Sequence, residues 1–508
     1  MMSIPPSRSR KSVPVVLISL VIAILTALFP RGSHAAVETN PPTTSLAKPS
    51  PEQIAFMDME LGAFFHFDLN TFSGQEHGDG FEPASKFAPT ALDVDQWVLT
   101  AKAMGAKYAV LTARHEGGFC LWPTATTDYS IANSPYKNGK GDLVREFVDS
   151  CRKHGLRVGL YHTAAYDSHE TYKPEDKGKV IWGKSADALR ERRFGEMGEE
   201  GLRKYREMQV AQLTELLTKY GPIDYLWFDH YGGHNKTTHV WDAVTEVARR
   251  LQPHCLIGGV DVTTPGNEAG WVAYPLWNGV YSGAKDTTQT ITLPDGKGSI
   301  TINKRSGSPF GDIWRIREAD TSGEIWTGGW FWHPGKKPQR TTNHFMDLYD
   351  RTIGFGANLI MNLPPDNRGL IQEDMAETAR QFGAEVSRRF DHPLAVATNI
   401  PSGDSAELGL DKPCQVDTIV TMENIAEGQK IVSYALEALV DGKWITLKPA
   451  NILTNPPVGF PATPGFETVG HKKIDRVEPV VTDRIRFRCT QSLGTPVILR
   501  SIAAYHAN

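Results

Sequence analysis

From about residue 55 to residue 390, short apolar runs alternate with amphipathic segments at helical spacing, and no other feature constrains the fold as much. Leu61–Phe67, Tyr108–Leu111, Arg157–Tyr161, Ile223–Phe228, Cys255–Gly258 and Asn358–Asn362 read as strands. Val94–Met104, Leu143–His154, Leu202–Tyr220, Trp241–Leu251, His344–Ile353 and Asp374–Arg388 read as helices. In the first helix Val94, Trp97, Val98, Ala101 and Met104 recur on one face, and Gly221-Pro222 stops the third. The strands are apolar on both faces, as in a buried parallel sheet. Repeated strand–helix units predict such a sheet. A doubly wound sheet would carry a phosphate loop such as GxGxxG after its first strand, and the chain has none. The expected fold class is α/β, a (β/α)8-type barrel spanning residues 55–392.

Two segments break the alternation. Ser282–Asp312 carries Thr-Ile-Thr-Leu and Ser-Ile-Thr-Ile around Pro294-Asp295-Gly296, which reads as a hairpin insertion. After about Pro393 helical periodicity ends. Runs such as Thr418–Thr421, Ile431–Leu439, Trp444–Leu447, Arg484–Arg488 and Pro496–Ile502 are separated by Gly, Asp and Pro. Residues 393–508 are therefore expected to form a C-terminal β-sandwich, with support as its first role and sugar binding as the other.

At the N-terminus, Arg8, Arg10 and Lys11 precede the apolar run Val15–Phe29, and small residues follow at Ser33, Ala35 and Ala36. That is the order of a secretory signal, here residues 1–36, with an uncleaved anchor helix as the competing reading. Residues 37–54, rich in Pro and Thr, read as a linker. The expected localisation is exported: periplasmic, secreted or extracellular, with no stable membrane insertion once the signal is cleaved. A net charge of −4 gives no electrostatic case for nucleic acid as a partner. The five cysteines show no CxxC or zinc spacing. No metal and no cofactor is expected. Cys414 and Cys489 share the C-terminal module, where a disulfide would be compatible with the sequence.

Barrels of this kind do their chemistry where strands end. His66 and Asp68 follow the first strand; Arg114, His115 and Glu116 the second; Tyr161 and His162 the third; Asp229 and His230 the fourth; Asp261 and then Asn267-Glu268 the fifth. Any one of these reads equally well as a capped loop residue. Polar groups at nearly every strand end read as a site, because burying them is costly unless they are paired or used. Asp229 is the sharpest case, a lone carboxylate after Tyr225-Leu226-Trp227-Phe228. Glycoside hydrolysis needs a second carboxyl. Position leaves Glu268, Glu318, Glu116 and Asp261 as candidates.

The stretch Tyr108-Ala-Val-Leu-Thr-Ala-Arg-His-Glu-Gly-Gly-Phe-Cys-Leu-Trp122, followed by Thr127-Asp128-Tyr129-Ser130, resembles the signature of the α-L-fucosidases of glycoside hydrolase family 29. Gly139-Lys-Gly-Asp142, Gln212-Leu-Thr-Glu-Leu-Leu before Leu226-Trp-Phe-Asp229, and Asn358-Leu-Ile-Met-Asn-Leu-Pro-Pro-Asp366 resemble further motifs of that family in the same order. The resemblance covers about residues 55–390. It implies a retaining exo-glycosidase acting on a fucosylated oligosaccharide or polysaccharide, with Asp229 as nucleophile. Gly266-Asn267-Glu268 matches a segment carrying the acid/base of one branch, which points to Glu268 and leaves Glu318 in reserve. It also implies His66, Glu76, His115 and Tyr161 as sugar contacts, with Trp330 and Trp332 as walls.

Two departures bear on the sugar. The family has two adjacent histidines where this chain has His115-Glu116, and often Glu-Trp where it has Glu76-His77. A carboxylate accepts where an imidazole partly donates, so Glu116 joins the substrate-contact candidates. The alternatives are an α-L-galactosidase-like or modified-fucose hydrolase, or an inactive sugar-binding relative. A metal-dependent barrel hydrolase built on His66, His115 and His162 is the remaining rival. It wants His-x-His on the first strand, and Asp68 stands there instead.

Overall fold

The computed structural model describes residues 46–507 apart from 165–166, 179–183, 232–239, 264–267, 283–288, 293–298, 303–306, 322–328, 336–339, 402, 404 and 449–466. Residues 1–36, the expected signal, and residues 37–45, half of the expected linker, lie outside the described residues. The last part of the expected linker is helical: α1 spans Pro51–Met57. Ser50 and Gln53 form a reciprocal capping box there, with Pro51 in the first turn. The proline thus starts a helix rather than marking a flexible tether.

The barrel follows as β1 (Leu61–Phe65), α2 (Val94–Met104), β2 (Tyr108–Arg114), α3 (Leu143–His154), β3 (Arg157–His162), α4 (Lys184–Glu196), α5 (Gly198–Lys219), β4 (Tyr225–Trp227), α6 (Val240–Leu251), β5 (Leu256–Ile257), β6 (Val262–Thr263), β7 (Ile316–Thr321), α7 (Thr342–Thr352), β8 (Asn358–Asn362) and α8 (Glu373–Phe390). The strands form one eight-stranded parallel sheet in the order β5-β4-β3-β2-β1-β8-β7-β6. A bridge between Gly258 and Val262 brings the two ends together, so the barrel is nearly closed.

The local reasons are those of the sequence. Asp93 caps α2 by accepting the Gln96 N–H, and Gly105, at φ 99°, ends it. The helix buries Val94, Trp97, Val98, Ala101 and Met104, the stripe its spacing predicts. All residues of β1, β2 and β8 are buried. Inside the barrel, Gly62 pairs with Tyr108, and a Cβ at Gly62 would sit 2.3 Å from the Tyr108 ring. That close approach demands glycine. Helix α1 plugs the base: Phe56 packs on Tyr108 and Tyr225, and its carbonyl accepts the Asn358 amide.

β7 was not legible from hydropathy. Its inward positions include Glu318 and Asp320, so the segment reads as polar. The hairpin insertion is present as Gln289–Thr292 paired antiparallel with Ser299–Ile302; its turn lies outside the described residues.

The C-terminal module is a six-stranded antiparallel sheet: β9 (Ala395–Pro401), β10 (Ser405–Glu423), β11 (Ile431–Val440), β12 (Lys443–Lys448), β13 (Lys473–Ser492) and β14 (Ile498–Tyr505), in the order β9-β14-β10-β13-β11-β12. Cys414 lies opposite Thr482, whereas Cys489 lies opposite Tyr434 on a different edge, so the compatible disulfide does not form. Arg476 pairs with Asp350, and Lys472 with Glu60, which ties this sheet to the barrel. Among the described residues, none after 392 lines the cleft, and no helix is long and apolar enough to cross a membrane.

Candidate active site

A cleft of about 680 Å³ opens at the strand ends of the barrel. Of the residues expected at the site, His66, His115, Glu116, Tyr161, Asp229, Glu268 and Trp330 line it.

Asp229 follows β4 by two residues and is half-buried. Its Oδ1 accepts the His230 N–H at 2.8 Å, and the Tyr161 hydroxyl approaches Oδ2 at 3.5 Å. His230 sits at φ 52°, a sharp turn that ends the strand direction just after the carboxylate. Burial, with the Glu116 charge beside it, raises the Asp229 carboxyl above its ordinary value; His230 opposes that rise. Tyr161 is fixed by stacking on Trp227, with centroids 5.3 Å apart.

Glu268 stands exposed at the rim. Partial desolvation and then the Asp229 charge raise its carboxyl, while a hydrogen bond from Trp330 opposes them. Asn267 and Gly266 lie outside the described residues.

Glu116 has the opposite environment. Burial alone would raise its carboxyl. The hydrogen bond and charge of His77 and the charge of Arg190 instead hold it at about 2. His77 Nδ1 donates to Oε2 at 2.8 Å, and Arg190 to the same oxygen at 3.0 Å. His77, penalised by burial, is raised by that partnership. Ligand atoms of Glu116, Asp229 and His230 lie within 4.8 Å of one another, a spacing that would admit a cation. Arg190 and His77 already bring positive charge to Glu116.

His66 is buried, and burial and then His115 hold its imidazole well below the usual range. It is neutral. With Nδ1–H donating to Asn362 Oδ1 at 2.8 Å, Nε2 is left as an acceptor. Burial likewise depresses His115 to about 4. His162 does not join them. Its Nε2 faces Gln212 at 3.0 Å, away from the cleft, so a His66–His115–His162 centre is not assembled.

Two of the expected sugar contacts lie off the cleft lining. Glu76 does not line the cleft. Its Oε2 accepts the backbone N–H groups of Trp330 at 2.7 Å and Phe331 at 3.3 Å, and its Oε1 meets the His333 ring. Trp332 is 8% exposed and also off the cleft, whereas Trp330 lines it and lies over His66 at 4.8 Å. In the run Trp330-Phe331-Trp332, Glu76 clasps the Trp330 and Phe331 amides and the first indole lines the cleft.

The other carboxyls fall out of the site. Asp261 is chelated by Arg249 at 2.7 and 2.6 Å and caps the Ile257 N–H. Glu318 is fully buried beneath the cleft and accepts from Tyr108 at 2.5 Å, Tyr225 at 2.9 Å and Trp227 at 3.2 Å. Burial still pushes it up to about 7. Sequence reasoning missed Arg190 on α4 and Asp320 on β7, both of which line the cleft. Neither segment has an apolar period that would have flagged it.

Known proteins resemble both the sequence and the fold. Residues 73–264 match the model of the family described as Alpha-L-fucosidase. A putative alpha-L-fucosidase 1 of Oryza sativa subsp. japonica is 30% identical over 456 residues, which is 81% of this chain and 79% of that protein. The crystal structure of a putative alpha-L-fucosidase from Bacteroides thetaiotaomicron superposes with TM-score 0.71 at 31% identity, covering 91% of this chain and 99% of that one. A glycoside hydrolase 29 family member from an unknown rumen bacterium superposes with TM-score 0.72 at 29% identity, covering 91% and 78%.

Proposed function

The chain belongs to the α-L-fucosidases of glycoside hydrolase family 29, retaining exo-glycosidases, and we propose that Asp229 and Glu268 are the pair that does its chemistry. Its substrate is a fucosylated glycan. The observation that carries the residue assignment is the sorting of carboxyls by environment. Glu268, raised and open at the rim, is suited to hold a proton for a leaving group. Glu116, held at about 2, has no proton to give. Asp229 faces the cleft from a strand end, where rigid backbone fixes it.

In the first step Asp229 attacks C1 of the fucosyl unit. The C1–O bond to the leaving group breaks, and Glu268 gives its proton to that oxygen. In the second step the Glu268 carboxylate takes a proton from water, which attacks C1 and frees Asp229. Two inversions return L-fucose with its starting anomeric configuration. Neutral His66 offers Nε2 to a sugar hydroxyl, and Trp330 offers an indole face to the apolar side of the ring. The galactoside and binding-only alternatives have no counterpart among these relatives.

The purified protein is expected to hydrolyse an aryl α-L-fucoside with the α-anomer formed first by NMR. Formation of the β-anomer would overturn the retaining assignment. Export rests on the basic-apolar-small order of residues 1–36. Sequencing the mature N-terminus tests it: a protein beginning at Met1 inside the cell would refute it.

A further inference from the structure

β7 sends two carboxyls to the same face, two residues apart, and treats them differently. The lower one, Glu318, meets three donors from Tyr108, Tyr225 and Trp227. The upper one, Asp320, is 5% exposed and lines the cleft, and its buried Oδ1 finds no hydrogen-bond partner among the described residues. A buried polar atom left without a partner costs free energy that native structures rarely leave unrecovered. Among the described residues, the open space that Asp320 meets is the cleft.

The neighbourhood says what completes it. An antiparallel bridge between Ala269 and Thr321 runs the chain bearing Glu268 alongside the end of β7, so Asp320 and Glu268 share one wall. We propose that Asp320 is a sugar-binding residue of the cleft, and that one ring hydroxyl of the bound L-fucosyl unit completes its open oxygen. This rests on the fucosidase reading above. Burial and then the neighbouring Glu268, Glu318 and Asp229 push the Asp320 carboxyl well above the ordinary range, so it keeps its proton. A neutral carboxyl both donates and accepts, and an alcohol hydroxyl does the same. Such a site discriminates steeply against a ligand that lacks the hydroxyl.

The experiment compares wild type, Asp320→Ala and Asp320→Asn on L-fucose and its 2-, 3- and 4-deoxy analogues, by calorimetric binding and by kcat/KM on the matching aryl glycosides. In wild type, one deoxy analogue is expected to lose about 10- to 100-fold through the missing partner of Asp320. In Asp320→Ala that single penalty disappears, while the penalties at the other two positions persist. A merely structural role would weaken all analogues alike. If the alanine variant does not fold, the near-isosteric asparagine reads the same pattern, with the penalty at that one position changed. Unchanged penalties at all three positions in the folded variants overturn the proposal. Wild-type binding of L-fucose without turnover of any aryl fucoside would instead sink the fucosidase reading, and the binding series would still test Asp320.

Discussion

Glu76 Oε2 accepts the backbone N–H of Trp330 at 2.7 Å, joining residues 254 positions apart. The Trp330 carbonyl is held on its other side by the Asn362 amide at 2.8 Å, and Asn362 also orients His66. Gly329 lets this clasp close, since a Cβ there would sit 1.8 Å from Glu76 Oε1. Glu76 thus holds the backbone of Trp330, which lines the cleft.

Glu76→Ala is expected to free the Trp330 segment and raise KM for an aryl α-L-fucoside by about 10-fold, the scale of one lost charge-assisted hydrogen bond. kcat should fall less, because Asp229 and Glu268 remain. Tryptophan fluorescence quenching by iodide should rise in parallel. A variant with wild-type KM and quenching would show that the clasp is dispensable.

Asp229→Gly and Glu268→Ala should both fold and should answer azide with opposite stereochemistry. Without the nucleophile, activity falls by more than about 1,000-fold. Azide can then enter from the vacated Asp229 side and give the β-azide. Without the acid/base, a substrate with an activated leaving group still forms the glycosyl-enzyme, and azide attacks from the other face to give the α-azide. NMR of the products distinguishes the two. The same anomer from both variants would contradict the assignment.

Activity should follow a bell against pH, and the sign of each limb follows from its group. Asp229 must be ionised, so activity falls as pH drops through its raised value. Glu268 must be protonated, so activity falls as pH rises through its own raised value. In Glu268→Gln the basic limb should vanish for a substrate that needs no acid assistance. Persistence of that limb would give it to another group.

Glu318 should make stability depend on pH. In the folded state its carboxyl is pushed up to about 7, whereas the unfolded chain releases that proton near the ordinary glutamate value of 4.5. Between these pH values folding takes up a proton. The stability contributed by Glu318 is therefore full below the lower value and is lost as pH rises through the upper one. The swing is on the order of 3 kcal/mol. Urea melts of wild type should weaken over this window, and those of Glu318→Gln should weaken less. Identical slopes would mean that Glu318 does not titrate there.

The barrel was largely legible because its strands are buried on both faces, and burial on both faces writes a continuous apolar run. β7 escaped for the converse reason: its inward Glu318 is satisfied by Tyr108, Tyr225 and Trp227, which lie on strands far away in sequence. Ser50-Pro51-Glu52-Gln53 is legible in principle as a capping box, but composition alone makes its proline part of a linker. Trp332 was indistinguishable from Trp330, because which indole lines the cleft is set only in the folded chain, where Glu76 meets the Trp330 and Phe331 amides.

By itself the sequence determined the local terms. Apolar period laid out the strands and helices, and a lone carboxylate after Tyr225-Leu226-Trp227-Phe228 marked Asp229. Ordered motifs pointed to the family. The tertiary structure alone decided what each carboxyl is. Glu116 is ionised because His77, 39 residues before it, and Arg190, 74 residues after it, meet on one oxygen. Glu318 is a buried anchor and Asp320 an open one because barrel closure brings donors to the first and a cleft to the second. Protonation state depends on desolvation and on charges a few ångströms away, and those are distances that only the closed barrel sets.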